Sequence, residues 1–253
     1  MHSCAILPVM RVALISDLHG NQVALDAVLA DIEAENCDRI VCLGDTAALG
    51  TEPNEVLQTL RDLGCPCIMG NHDEFLINPA LLAEYTEAPP IVASQAWCRE
   101  RMTDEDLAFI RTFISDLTID LGDGHSLYCF HGSPDSHMDD ILSSTTDEQL
   151  DAYIGSHRAT VMTGGHTHIQ MLRQHRGTWL LNPGSVGSPF KEYVAGGTPE
   201  IMPYAEYAIV KSERGTVSCE LRRVDVDKER LIALCKASTN PLAPFWVQAY
   251  ESA

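Results

Sequence analysis

The sequence predicts a mixed α/β (α+β) fold in which two β-sheets face each other and helices cover both outer sides. Three observations lead to this prediction. The chain has 253 residues, of which 45% are hydrophobic and 21% charged, as in an ordinary globular protein. Its N-terminal part alternates strand-like and helix-like segments, the pattern of a parallel sheet with helices outside. Further along the chain, short strand-like segments dominate and supply enough strands for a second sheet.

The N-terminal part contains three strand-like segments that each lead into a polar cluster. An apolar run at 11–16 predicts a buried strand, and Asn21 can cap the helix whose apolar residues follow at helical spacing. Residues 39–43 predict the next strand. Residues 52–63 predict a helix with proline in its first turn and glycine just past its end. Residues 67–69 predict a third strand. In such sheets the site lies at the carboxyl ends of the strands.

Residues 75–117 interrupt this alternation. Prolines punctuate two helix-like stretches, 92–102 and 104–113, and the helix dipole favours the acidic start of the second. We therefore predict a single domain spanning residues 1–253, with residues 75–117 as a helical insertion beside the site. The sequence leaves open whether this insertion acts as a lid or as a structural flank.

The remainder of the chain predicts a second set of strands. Helix-like segments at 147–156 and 227–237 interrupt them, and Gly122-Asp123-Gly124 is a hairpin signal. The predicted strands are 118–121, 126–130, 160–162, 171–174, 178–181, 206–210 and 217–224. Two facing sheets with helices outside account for all of these segments.

Composition limits the classes of function. A formal charge of -19 argues against a broad nucleic-acid-binding surface, which needs clustered Lys and Arg. Nine cysteines without a zinc-type pattern are expected to be reduced, which suits the cytoplasm. The apolar start lacks a basic segment and is not expected to be a signal peptide, and residues 1–9 are interpreted as an extension before the first strand. No run approaches the ~20 apolar residues of a membrane span.

Five polar clusters follow predicted strands in a fixed order along the chain. Asp, Asn and His are metal ligands, and together the clusters make two complete ligand sets. Residues two apart on an extended strand end point to one side, so both members of an Asp-x-His pair can reach one metal. The clusters are Asp17-Leu18-His19, Gly44-Asp45, Gly70-Asn71-His72-Asp73, His131-Gly132 and Gly165-His166-Thr167-His168.

The chemistry of such a set is well defined. Two divalent cations that share a carboxylate lower the pKa of a shared water and position the hydroxide for attack on phosphorus. Asp45 can bridge two ions with its two oxygens, and the cations also take up charge on the phosphoryl oxygens. Because two dications reverse the local sign of the charge, an acidic chain can still bind an anionic phosphate ester. His72, next to Asn71, is placed to protonate the leaving group.

The ordered set resembles the signature of the calcineurin-like metallophosphoesterase superfamily: Asp-x-His, Gly-Asp, Gly-Asn-His-Asp/Glu, His and Gly-His-x-His. The match spans residues 17–168, and Asn182-Pro183-Gly184-Ser185 is similar to a loop of the smaller bacterial and archaeal members. The resemblance implies a four-layer αββα sandwich and two divalent metal ions. Mixed nitrogen and oxygen ligation suits Mn, Fe, Zn or Ni.

The resemblance also implies roles for individual residues. It implies that His72 is a catalytic residue near the leaving group, without being a ligand. Asp73 either orients His72 or caps the next helix. The ligands implied for the first metal are Asp17, His19, Asp45 and His168. The ligands implied for the second metal are Asp45, Asn71, His131 and His166.

One departure from the family pattern narrows the substrate. Protein Ser/Thr phosphatases of this superfamily carry Gly-Asp-x-x-Asp-Arg-Gly, whereas this chain has Ala48 and Leu49 at the acidic and arginine positions. Phosphate anchoring is then left to the metals, and a site without an extra cation should tolerate a diester. The sequence therefore predicts a dinuclear-metal-dependent hydrolase of small phosphodiesters or nucleotides.

Three alternatives remain at this point. The chain could be a phosphomonoesterase or dinucleoside polyphosphate hydrolase, a protein Ser/Thr phosphatase, or a non-catalytic scaffold like the retromer subunit that resembles this family. His72 and every ligand are present, which argues against the scaffold. The expected partner is a small phosphate-ester or nucleotide substrate, with no membrane. The sequence does not indicate the oligomeric state.

Overall fold

The computed structural model describes residues 9–252. It contains two mixed β-sheets that face each other, with helices on the outer sides, which confirms the predicted fold class. The predicted extension at 1–9 falls almost wholly outside the described residues. No helix within the described chain combines the length and the apolar character that crossing a membrane requires.

The first sheet has four strands in the order β2-β1-β8-β9. Strands β1 and β2 are parallel, and the other two pairings are antiparallel. Their bounds are β1 Met10–Ile15, β2 Arg39–Cys42, β8 Tyr204–Glu213 and β9 Thr216–Asp225. The parallel pair brings the ends of β1 and β2 to the same edge of the sheet.

The second sheet has five strands in the order β3-β4-β5-β7-β6. Its centre, β4-β5-β7, is parallel, and an antiparallel strand lies at each side. The bounds are β3 Leu117–Gly122, β4 His125–Cys129, β5 Val161–Thr163, β6 Met171–His175 and β7 Thr178–Asn182. The ends of β4 and β5 therefore also lie together.

Nine α-helices are described within residues 9–252, along with a 3-10 turn at Pro79–Leu81. Asn21 caps the first helix as predicted, since its side-chain oxygen accepts from the backbone amide of Ala24. The helices are α1 Gln22–Ala34, α2 Pro53–Leu63, α3 Asn71–Ile77, α4 Leu82–Tyr85, α5 Pro89–Arg101, α6 Asp104–Ile110, α7 Asp147–Ile154, α8 Lys228–Ala237 and α9 Ala243–Ser252.

The buried apolar residues form layers that match this arrangement. One cluster lies between the sheets and joins Leu14 and Val41 of the first to Leu127 and Val161 of the second. A second cluster packs the other face of the first sheet against α1, α2 and the helices at 89–110. A third packs the second sheet against α7. Burial of these faces is the main favourable term for folding.

Two elements differ from the predictions. Residues 67–69 form isolated bridges, Cys67 with Cys42 and Ile68 with Ile114, instead of a strand. The segment has too few residues between Pro66 and Gly70 for a longer ladder, yet the bridges still align it beside β2. Helix α9, which no prediction covered, packs on α8 at the C-terminal end of the described chain.

Candidate metal centre

The five polar clusters converge at one edge of the two sheets. They follow β1, β2, the segment at 67–69, β4 and β5, the elements whose ends the sheet topology brings together. Six of the predicted ligands are buried, and His166 is only partly exposed. The predicted ligands that the structure brings together are Asp17, His19, Asp45, Asn71, His131, His166 and His168.

Asp17, His19 and His168 form one potential ligand group. Each offers one atom, and these atoms lie within 4.8 Å of one another. Nε2 of His19 lies 3.0 Å from Nε2 of His168, which in turn lies 3.4 Å from Oδ1 of Asp17. One carboxylate and two imidazoles at this spacing can surround a single divalent cation.

Asp45, His131 and His166 form a second group of the same kind. Asn71 completes it, because its Oδ1 lies 3.2 Å from Nε2 of His131 and 3.0 Å from Nδ1 of His166. The amide adds a neutral oxygen to one carboxylate and two imidazoles. This is the set that the family resemblance implied for the second metal.

Asp45 lies between the two groups and contacts both through one oxygen. Its Oδ2 is 3.8 Å from Nε2 of His19 and 3.6 Å from Nε2 of His131. Its Oδ1 instead accepts a hydrogen bond of 2.8 Å from the backbone amide of His72. The sequence suggested a bridge through both oxygens, whereas the structure directs a single oxygen at both groups.

Backbone carbonyls fix the tautomers of two of the histidines. Nδ1 of His131 donates to the carbonyl of Leu43 at 2.7 Å, and Nδ1 of His168 donates to the carbonyl of Ser188 at 2.8 Å. With the proton held on Nδ1, the lone pair of Nε2 is directed into the centre. Contacts of this kind orient imidazole ligands in metalloproteins.

The residues fit a pair of cations. Oδ1 of Asp17 is buried and has no hydrogen-bond partner within the described chain, and two imidazole nitrogens approach each other to 3.0 Å. Without a cation, this arrangement leaves a carboxylate oxygen unsatisfied and lets the two imidazoles pair only by sharing a proton, which is costly in a buried site. A cation in each group removes both costs.

The histidines of the centre differ in how tightly they hold a proton. Burial lowers the pKa of His19 to about 3 and that of His166 to about 4. Burial also acts to lower the pKa of His131, but the nearby charge of Asp45 outweighs it and raises that pKa to about 9. A cation must therefore displace a proton from His131, since only the neutral ring is a ligand.

Five of the seven predicted ligands adopt positive φ, a region that residues other than glycine seldom occupy. The backbone is held there by hydrogen bonds between loops: the amide of Asp17 donates to the carbonyl of Gly44, and the amide of His19 to that of Asp45. Each such residue costs about 1–3 kcal/mol, and such strain clusters at functional sites. The five are Asp17, His19, Asp45, His166 and His168, with φ from 45° to 66°.

Comparison with known proteins agrees with this geometry. The family model for a calcineurin-like phosphoesterase superfamily domain matches residues 10–200. The chain belongs to this superfamily. Among curated proteins, the uncharacterized protein MJ0912 of Methanocaldococcus jannaschii is 28% identical over 193 residues, which cover 70% of this chain and 76% of that protein.

Two solved structures share the fold of this calcineurin-like phosphoesterase. A metallophosphoesterase from Sphaerobacter thermophilus has a TM-score of 0.72 and 22% sequence identity, and the match covers 96% of this chain and 99% of that one. The hypothetical protein PH1004 from Pyrococcus horikoshii has a TM-score of 0.78 and 18% identity, with coverage of 95% and 97%. At these identities the likeness extends to the fold.

His72 lies at the edge of the candidate metal centre and is held by Gln95 of α5. Nδ1 of His72 donates to Oε1 of Gln95 at 3.3 Å, while Nε2 of Gln95 donates to the carbonyl of His72 at 2.9 Å. The His72 ring is 6% exposed, and its centroid is 5.3 Å from that of His19. The paired contacts fix the tautomer, so that Nε2 is the nitrogen free to meet a substrate.

The carboxylate of Asp73 makes no hydrogen bond to the ring of His72. It accepts instead from the backbone amides of Asp45 and Thr46 at 2.7 and 2.9 Å, from the Thr46 hydroxyl at 2.7 Å and from the amide of Gly70 at 3.2 Å. Burial raises the pKa of Asp73 to about 6. Of the two predicted roles, these contacts match the helix cap and give the orienting role to Gln95.

Sequence reasoning missed several residues that touch the site, among them Gln95 and Asp140. Gln95 comes from the predicted insertion, where no local pattern distinguishes it from a surface glutamine. Asp140 lies in the loop after His131, and its Oδ1 is 3.5 Å from Nε2 of His166. The signal for Asp140 was its place in a polar loop between two ligand clusters, but the sequence alone could not select it from its neighbours.

The loop at 182–188 makes hydrogen bonds to two of the ligand clusters. Asn182 donates to the carbonyl of Gly165 at 2.7 Å and to the hydroxyl of Thr167 at 3.0 Å. The hydroxyl of Ser185 donates to the carbonyl of Asp17 at 2.7 Å. These contacts join the loop to two ligand clusters, so its role here is to position them.

Proposed function

We propose that this chain is a dinuclear-metal-dependent phosphoesterase that hydrolyses small phosphodiesters, including nucleotides. The observation that carries this proposal is the pair of buried ligand groups that meet at Oδ2 of Asp45 beside His72. The first cation would be held by Asp17, His19, Asp45 and His168. The second would be held by Asp45, Asn71, His131 and His166. When bound, such cations supply Lewis-acid activation of a water and neutralise charge on the phosphoryl oxygens.

The protein's own groups prepare the site for hydrolysis. His131 and His168 present their Nε2 lone pairs because their Nδ1 protons are given to backbone carbonyls. Burial of the centre excludes bulk water and strengthens each electrostatic contact. Burial lowers the pKa of His72, and only the protonated ring can give a proton from Nε2 to the departing oxygen, while Gln95 keeps the ring in place. General acid catalysis of this kind contributes typically about 10²–10⁴-fold.

The local charge supports a diester substrate. Ala48 is fully buried and Leu49 is partly buried, so neither position offers the cation or acid found in the protein phosphatases of this family. Two cationic residues from nearby segments are engaged elsewhere: Arg101 lies 3.6 Å above the ring of Trp97, and Lys191 pairs with Glu200 at 3.0 Å. A diester carries one negative charge and depends less on extra cations than a doubly charged monoester.

The substrate class is tested with two aryl esters. We expect the protein loaded with Mn²⁺ to hydrolyse bis(p-nitrophenyl) phosphate with a higher kcat/KM than p-nitrophenyl phosphate. A strong preference for the monoester would overturn the diester proposal. His72→Ala should lower kcat by about 10²–10⁴-fold at unchanged metal content. Unchanged turnover in that variant would remove His72 from the proposed mechanism.

A further inference from the structure

Two half-exposed tyrosines lie beside the proposed centre. Tyr85, the last residue of α4, is 42% exposed, and its ring centroid lies 5.6 Å from that of His72 at an interplanar angle of 86°. Tyr193 is 39% exposed, and its hydroxyl donates to Oδ2 of Asp140 at 2.6 Å. Tyr85 thus packs on His72 directly. Tyr193 is connected to His166 through Asp140, whose Oδ1 lies 3.5 Å from Nε2 of His166.

The phenol groups of Tyr85 and Tyr193 both lie near Asp140. The hydrogen bond to Asp140 raises the pKa of Tyr193 to about 12, and Tyr85 contributes to the same rise. Burial raises the pKa of Tyr85, with contributions from Asp45 and Asp140. Charged groups at the centre therefore affect both tyrosines, although the two tyrosines come from segments more than 100 residues apart.

Neither tyrosine ring is buried in the hydrophobic core. Tyr85 packs on Phe75 at 5.4 Å with one part of its surface and leaves the rest open, and Tyr193 lies in the irregular segment between β7 and β8. Tyrosines with an apolar face and a polar tip are typical of binding surfaces. Both are held in place, Tyr85 by its ring contacts and Tyr193 by Asp140, so little freedom is lost when a ring stacks on them.

The negative charge around the two tyrosine rings limits which substrate groups can bind to them. Asp140, which is not one of the proposed metal ligands, lies between Tyr193 and His166, and the chain carries a formal charge of -19. A negatively charged extension of the substrate, such as a polyphosphate or an acidic peptide, would be repelled there. A neutral aromatic ring suffers no such repulsion, and stacking of a base on an aromatic side chain contributes about 1–3 kcal/mol.

We propose that Tyr85 and Tyr193 form a binding subsite for the nucleobase of a nucleoside phosphodiester. This inference rests on the proposed function and specifies its substrate class. Tyr85, next to His72, contacts the base on the side of the leaving nucleoside. Tyr193, fixed by Asp140, closes the subsite on the side of His166.

The test compares two ligands that differ only in the base. Binding of adenosine 5′-monophosphate and ribose 5-phosphate to the Mn²⁺-loaded protein is measured by calorimetry. We expect the nucleotide to bind the wild type about 5- to 150-fold more tightly, the range that one stacked base supplies. Tyr85→Ala and Tyr193→Ala should each reduce this ratio, while the affinity for ribose 5-phosphate stays unchanged.

Matched variants separate stacking from other effects. Tyr85→Phe keeps a ring that is held by ring contacts and should retain most of the ratio, whereas Tyr193→Phe keeps the ring but loses the bond to Asp140 and should retain less of it than Tyr85→Phe. Equal affinity of the wild type for the two ligands, or a ratio unaffected by both alanine substitutions, would overturn the subsite. Because binding is measured without turnover, a retained ratio in a protein that hydrolyses no diester would support the subsite while the proposed function fails.

Discussion

At the scale of single residues, the site combines groups that the sequence identifies with a backbone geometry that it does not. Asp17, His19 and Asp45 were identified by type and spacing. Their positive φ values could not be predicted, because the residue types Asp and His do not indicate the left-handed region. Only the neighbouring glycines indicated unusual turns. Bonds between the loops impose this conformation, and they exist only once the strands are assembled.

Gln95 provides a test at this scale. Gln95→Leu removes both contacts to His72, which lets the ring leave the orientation that presents Nε2. Since each lost hydrogen bond is worth about 1 kcal/mol and 1.36 kcal/mol corresponds to tenfold in rate, we expect kcat to fall by about 5- to 30-fold. Steady-state kinetics on bis(p-nitrophenyl) phosphate, with metal content measured in parallel, check this.

Gln95→Glu is the matched control for this substitution. It keeps an oxygen opposite Nδ1 of His72 and should retain more activity than the leucine variant. If the leucine variant has wild-type kcat, or loses activity only by losing metal, Gln95 does not position His72.

At the scale of elements, apolar runs that end in a glycine or polar cluster were sufficient to predict most strands. The ends of β1, β2, β4 and β5 carry the ligands as expected. The segment at 67–69 shows the limit of this reasoning, because three apolar residues satisfy a strand pattern without filling a ladder. Helix α9 was missed because its segment begins with a proline-interrupted stretch and shows little amphipathic contrast.

Asn240, in the segment before α9, gives a prediction about stability. Nδ2 of Asn240 donates to the carbonyl of Gly50 at 2.7 Å, and its Oδ1 accepts from the hydroxyl of Ser94 at 2.8 Å. Gly50 packs so closely on the carbonyl of His19 that a Cβ there would overlap it. Asn240 therefore joins the C-terminal segment, α5 and the loop behind the first ligand cluster.

Asn240→Ala should lower the free energy of unfolding by about 2–4 kcal/mol, because several buried polar groups lose their partner. Urea denaturation monitored by circular dichroism measures the change. Gln58→Ala, at an exposed site on α2, should stay within about 0.5 kcal/mol of the wild type. Equal stability of the two variants would show that the Asn240 contacts contribute little.

At the scale of the whole molecule, the acidic chain also buries carboxylates that are not proposed ligands, and Glu206 is one of them. Glu206 is 3% exposed, and its Oε1 accepts from Nε of Arg223 at 3.0 Å, while Oε2 is buried without a partner within residues 9–252. Burial raises the pKa of Glu206 to about 7 from an ordinary value of 4.5. The folded protein thus binds a proton more tightly here than the unfolded chain.

This shift makes stability depend on pH. Between pH 4.5 and about 7 the folded state holds a proton that the unfolded state has lost, so stability falls as the pH rises through this window. Glu206→Gln removes this titration. Relative to the wild type, the variant should gain about 3 kcal/mol between pH 4.5 and pH 8. Thermal denaturation of metal-free protein at a series of pH values tests this, and parallel curves would contradict it.

The central claim concerns the number of ions and the residue that they share. Elemental analysis of protein dialysed against Mn²⁺ measures it directly, with Asp45→Asn as the variant because Oδ2 of Asp45 faces both ligand groups. We predict about two ions per chain in the wild type and loss of both in the variant, as expected for a dinuclear site with a common carboxylate. A wild type that binds no ion, or a variant that retains two, would contradict the account.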